Sequence, residues 1–187
     1  MEKIFRQEIF LGLVAPVGID LNNIEELMND YLLKKFAYKT HTIRLSKLLQ
    51  NIDGVKVRID DSSEYSRIDI GMRAGNEARS ISKQCDILAK HSIVEVQNIR
   101  KSLEPKPESA YIFRSIKNPH ESFLYRTVYD KGFFLLGFYS SRKNKMKYLI
   151  ERQGMIESQA NYLINRDEQE SNKYGQRTRN TFYTSDV

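Results

Sequence analysis

The chain is poor in the residues that staple a fold or bind metals. Among its 187 residues there is one cysteine, Cys85. A single thiol excludes an intrachain disulfide and any cysteine-rich zinc site within the chain. The histidines His41, His91 and His120 fall in separate segments. No His-x-Glu accompanies a Pro-Cys-x-x-Cys, so the signature of a zinc deaminase is missing. Gly-x-Ser-x-Gly is missing too, and with it support for a hydrolase nucleophile. The longest apolar runs, near residues 9–17 and 133–139, fall far short of the roughly 20 residues that span a bilayer. The opening Met1-Glu-Lys-Ile-Phe-Arg has no apolar signal core. A cytoplasmic protein with no membrane partner is the expectation.

Hydrophobic residues make up 40% and charged residues 29% of the chain, a balance that suits a globular domain with a core. The net charge of +6 suggests an anionic partner: a nucleotide, a nucleic acid or an acidic protein. The densest basic stretch, Arg142-Lys-Asn-Lys-Met-Lys147, reads first as a solvated helix face. Duplex-binding motifs and ribonucleoprotein-type aromatics are absent, so a small anionic ligand needs fewer assumptions.

Strand-like and helix-like segments alternate, the mark of an α/β domain. Residues 9–15, 38–45, 109–114 and 133–139 read as strands, the last as a buried one with two-sided burial. Leu21, Ile24, Leu27, Met28, Leu32 and Leu33 recur at helical spacing, which predicts a helix over 21–36. A short helix over 46–51 would be capped by Ser46. Residues 53–63 read as a loop and 65–103 as one or two helices. Glu104-Pro-Lys-Pro-Glu108 breaks the pattern. Helices follow at 119–129, with Pro119 near its first position, then at 140–152 and 155–164. The polar stretch 166–180 reads as a mobile lid, and 180–187 as a strand or the start of a linker. The layout is a single domain over 1–187: a mostly parallel sheet of about four strands, with a C-terminal fifth, between layers of helices. Ligand sites in such sheets sit at the carboxyl ends of strands. Here those ends are residues 15–18, 45–46, 114–115 and 139–141.

The first such end carries the turn Gly12-Leu-Val-Ala-Pro-Val-Gly18, leading into a helix. Strand, glycine turn and helix N-terminus are the parts of a phosphate cradle. Gly12, Ala15, Pro16, Val17, Gly18, Ile19 and Asp20 are therefore candidate phosphate-binding residues. The standard P-loop has four residues between its glycines and then Lys-Ser/Thr. Here the glycine spacing is one longer, and Ile19-Asp20 follow. Asp20 is either a helix cap or a carboxylate crowding the anion. Phosphoryl transfer also needs cations on the moving group. Arg44, Arg73, Arg114, Arg166, Arg177 and Arg179 stand at strand ends or in polar stretches; each singly also suits an ordinary surface. Arg114 and Arg166 are the foremost exceptions. Asp69 is a candidate Mg²⁺ carboxylate or a helix decoration. Gly71 and Gly75 permit close helix packing, or let a base approach the backbone with Asn76 reading its edge.

Several segments carry a family resemblance in order: Gly12-Leu-Val-Ala-Pro-Val-Gly-Ile-Asp-Leu21, Ile43-Arg-Leu-Ser46, Met72-Arg-Ala-Gly-Asn-Glu77, and Ala110-Tyr-Ile-Phe-Arg-Ser-Ile-Lys-Asn-Pro-His-Glu121. Val128-Tyr129, Phe133-Phe-Leu-Leu-Gly-Phe-Tyr139, Arg166-Asp-Glu168 and Gly175-Gln-Arg-Thr-Arg-Asn-Thr-Phe182 complete the set. Together they resemble the N-terminal P-loop kinase-like domain of bacterial anti-phage deoxycytidylate (dCTP/dCMP) deaminases. The resemblance implies a three-layer P-loop NTPase fold of the nucleotide kinase type. It implies a regulatory or sensor domain that binds a nucleoside triphosphate, with Mg²⁺, around residues 15–18. Its partner would be a zinc-dependent deaminase domain or subunit beginning after Thr181-Phe-Tyr-Thr-Ser-Asp-Val187, so zinc is not expected in this chain. A regulatory RNA or phage factor and a homo-oligomer belong to the family context. The alternative is an active nucleoside or nucleotide kinase with a non-standard P-loop, its arginines replacing the absent lysine and Asp69 or Asp20 holding Mg²⁺. A third reading is an interaction protein with a vestigial loop.

Overall fold

A computed structural model of the chain describes residues 8–56, 62–103, 108–170 and 172–187. The opening residues 1–7, positions 57–61 of the expected loop, the proline break at 104–107 and Ser171 lie outside the described residues. The strands are β1 (Ile9–Val14), β2 (Lys39–Arg44), β3 (Ser109–Arg114) and β4 (Phe133–Gly137). The longer helices are α1 (Leu21–Phe36), α2 (Glu64–Ser82), α3 (Ile87–Ser102), α4 (Pro119–Tyr129) and α6 (Glu157–Gln169). Short helices α5 (Arg142–Lys147) and α7 (Thr178–Phe182) complete the set.

Local chemistry sets most helix ends. The Asp20 side chain accepts from the amides of Asn22 and Asn23 and starts α1. Ala37, at φ 57°, closes it by returning its N–H to Leu32 and Leu33. Ser63 caps α2, and left-handed Lys83 ends it, so residues 65–103 form two helices rather than one. Asn118 and Glu121 form a capping box around Pro119 and start α4.

All strands are parallel, in the order β2-β3-β1-β4. Leu11, Leu13, Ala110 and Ile112 pack on one face against Leu21 and Leu32 of α1. Phe10, Val14, Tyr111, Phe113 and Leu135 pack on the other against Leu88, Ala89 and Val96 of α3 and Tyr125 of α4. The result is three layers. A smaller cluster, Met72, Leu149, Met155, Ala160, Leu163 and Ile164, joins α2 to α6 beyond the sheet, with Val17 packed against it. Among the described residues no helix is long and apolar enough to cross a membrane.

Five expectations change. Strand β4 is an edge strand, not one buried on both sides, and Phe134 is 45% exposed. Residues 45–51 form a 3₁₀ turn with no side-chain cap, so Ser46 does not start it. Residues 166–169 belong to α6, and Asp167, Gln176 and Thr178 are buried, so these parts of the expected lid are packed, while residues 168–169, 172–173 and 179–180 are exposed. Residues 178–182 are helical. The chain then runs beside β4, Asp186 N–H donating to Leu135 O and Gly137 N–H to Val187 O, without a fifth strand among the described residues. Finally, open space lies where Gly71 would carry a Cβ, and Gly75 faces only the Arg79 guanidinium of its own helix, so neither permits a close helix contact.

Candidate anion site at the carboxyl edge of the sheet

Strands β1 and β3 are neighbours, and their connections leave toward opposite faces, through α1 and α4 respectively. Such a divergence opens a crevice at the carboxyl ends of the two strands. The turn 15–20 enters it from β1 and the loop 115–118 from β3. Gly18, at φ +91°, makes the bend into α1; a Cβ there would lie 2.7 Å from Lys145 Cβ. Gly12, by contrast, is inside β1, opposite Phe113 and Leu135. A Cβ on it would meet Ile116 at 2.6 Å and Phe133 at 2.8 Å. Gly12 serves strand packing and leaves the candidate phosphate set.

One carboxylate organises the turn. Asp167, 3% exposed near the end of α6, accepts from Val17 N–H at 2.8 Å, Lys117 Nζ at 3.1 Å and Thr178 Oγ1 at 2.8 Å. Lys117 also donates to Ala15 O at 2.8 Å. Pro16 has no N–H to offer. Ile19 packs under α1 and its carbonyl accepts from Leu21 N–H. Asp20 keeps to its capping role and also accepts from the Tyr148 hydroxyl. Burial, then the Asp20 charge, pushes the Tyr148 phenol up from its usual range.

The loop after β3 is held from below. Glu121 Oε2 accepts from Lys117 N–H at 2.8 Å and Asn118 N–H at 3.0 Å, while Oε1 takes Arg79 at 3.1 Å. Both partners of that ion pair are buried. Asn118 Nδ2 donates to Gly175 O and Arg177 N–H to Lys117 O, which bring the stretch before α7 onto the same loop.

The candidate arginines do not converge on the turn. Arg114 and Arg44 share Glu25 of α1, at 2.7 and 3.6 Å. Burial alone would raise the Glu25 carboxyl, but hydrogen bonds from Arg114 and Thr42 and the charges of Arg114 and Arg44 leave it below the ordinary value. Arg73 and Arg166 share Asp69 of α2, at 2.6 and 2.5 Å. Asn76 donates to Glu170. Arg179 lies over the Tyr183 ring. Glu168 takes Lys145 at 2.5 Å and Arg142 at 3.4 Å. Asp20 and Asp69 therefore do not fit the role of Mg²⁺ carboxylates in this arrangement: one caps a helix and the other is clamped between two guanidinia.

Sequence reasoning missed Lys117, Asp167 and Thr178, which make the centre of the site. Lys117 stands just past the end of β3, and Asp167 stands next to the candidate Arg166. Nothing in local spacing pairs residues 50 and 150 positions apart. A cavity of about 230 Å³ opens beside Asp167, between the acidic end of α6 and Arg177, Arg179 and Asn180. No protein-family model matches the chain, and no curated protein matches its sequence.

Proposed function

We propose that this domain binds a nucleotide and acts as a regulatory or sensor module of an anti-phage dCTP/dCMP deaminase system, its fold of the P-loop kinase type. The deaminase chemistry would reside in a zinc-dependent partner domain or subunit. One observation carries the reading. Four of the segments that suggest the family, far apart in sequence, each send one group to the same carboxylate cluster: Val17, Lys117, Asp167 and Thr178. A fifth, residues 72–77, reaches the same end of α6 through Asn76 and Glu170. The cluster lies in the crevice where open α/β sheets hold ligands.

The kinase alternative has less behind it. No Lys-Ser/Thr follows Gly18, and the carboxylates it needs are committed elsewhere. Calorimetric titration of the chain with ATP, GTP and the deoxynucleoside triphosphates tests the proposal. Saturable binding of at least one is expected. A folded protein that binds none of them overturns it.

A further inference from the structure

The three groups around Asp167 are all donors: a backbone N–H, an ammonium and a hydroxyl. They come from three different places in the fold: the turn after β1, the loop after β3 and the first residue of α7. A carboxylate can only accept, and so can a phosphoryl oxygen. What satisfies Asp167 would therefore also satisfy a phosphate. We propose that Val17 N–H, Lys117 Nζ and Thr178 Oγ1 form a seat for a phosphoryl group, and that Asp167 fills this seat until an incoming phosphate displaces it. The inference rests on the nucleotide reading above and says how that site is regulated.

Charge makes the two occupants exclusive. With Asp167 in place, Lys117 is already neutralised. A phosphate arriving beside it would meet a buried like charge, which is strongly unfavourable where dielectric screening is low. The end of α6 is also where a carboxylate is least supported by its own helix. Asp167 and Glu168 lie in the last turns of α6 and Glu170 is its C-cap, close to the negative end of the helix dipole. Each is held by donors from other elements: Val17 and Lys117, Lys145 and Arg142, and Asn76. Withdrawing Val17, Lys117 and Thr178 from Asp167 leaves the α6 end held by Lys145 and Arg142 on Glu168, by Asn76 on Glu170 and by Arg166 on Asp69. The cavity beside Asp167 is lined by Glu168 and Glu170 as well as by Arg177 and Arg179, and Arg177 has no side-chain partner among the described residues.

A site occupied by its own chain weakens apparent affinity by the fraction of molecules in the open state. Asp167→Asn keeps the shape and removes the competing charge. In calorimetry with inorganic tripolyphosphate, this variant should bind at least about tenfold more tightly than the wild type. Adding Lys117→Gln in the Asp167→Asn background should abolish the gain. Equal affinities in wild type and Asp167→Asn, with both binding, overturn the seat and leave the nucleotide reading standing. No tripolyphosphate or nucleotide binding by either folded protein overturns both. Should Asp167→Asn fail to fold, the wild type decides by the amide resonance of Val17. Its movement during titration supports displacement, and binding that leaves it unmoved overturns it.

Discussion

Helix α1 and the α6–α7 segment secure their ends in opposite ways. In α1 the bonds that close the two ends are mostly local, beside one long bond from Arg114 to Asn22. Asp20 accepts from residues two and three positions on, Lys34 pairs with Asp30, and Ala37 closes on Leu32 and Leu33. In α6 the bonds cross the molecule. Asp167 reaches Val17 across 150 positions and Lys117 across 50, and Arg166 reaches Asp69 across 97. The first helix carries its own caps and local pairs, and it gains its stability by packing Leu21 and Leu32 on the sheet. The acidic end of α6 opposes its helix dipole and is stable only once the sheet and α2 stand around it. The candidate site therefore belongs to the part of the molecule that depends most on the rest.

The contrast breaks most visibly at Lys117. Replacing it by methionine strands the buried Asp167 carboxylate, keeping only Val17 N–H and Thr178 as partners. Losing one member of a buried ion pair costs about 3 kcal/mol or more. Chemical denaturation of Lys117→Met should show a lowered midpoint of that order. A loss under about 1 kcal/mol would place the pair with surface salt bridges and deny α6 its dependence on distant charge.

The same contrast explains what could be read from the sequence. The helix over 21–36, its Asp20 cap and the Pro119 start of α4 all follow from neighbours within four residues, and the structure has them as expected. Strands β1 and β3 announced themselves by apolar content, since both are interior to the sheet. The edge position of β4 did not, because strand order is set by crossovers rather than by composition. The stretch 166–180 looked like a lid because it is polar. Part of its polarity is spent inward instead, Asp167 on Lys117, Glu170 on Asn76 and Arg166 on Asp69. The sequence shows the arginines as cations but not their carboxylate partners on α1 and α2, since each pair closes only in three dimensions.

A middle-sized effect sharpens the α1 side. Asp20→Ala removes the acceptor for two amides and should cost about 1 kcal/mol. The loss falls on the first turn of α1 and on the Tyr148 hydroxyl, neither of which belongs to α6, so hydrogen exchange should rise at the start of α1 and remain unchanged in α6. Faster exchange in α6 would mean that the turn at 15–20 transmits the change through Val17, and the two regions would then be one unit.

The smallest effect probes the long-range ties of α1, in which Arg114 also donates to Asn22. Glu25 joins the helix to Arg114 of β3 and Arg44 of β2, and these cations hold its carboxyl below the ordinary value despite burial. A carboxyl depressed in the folded state adds stability that is fully present above its unfolded value, about 4.3. That contribution drains away as pH falls through the lower folded value. Against Glu25→Gln, the wild type should be more stable at neutral pH by a few tenths of a kcal/mol, roughly the range of partly exposed pairs. The difference should vanish in acid below the folded value. A gap that persists there would assign Glu25 to packing rather than charge. Helix α1 would then owe its place on the sheet to Leu21, Leu32 and their apolar neighbours and to the Arg114–Asn22 hydrogen bond.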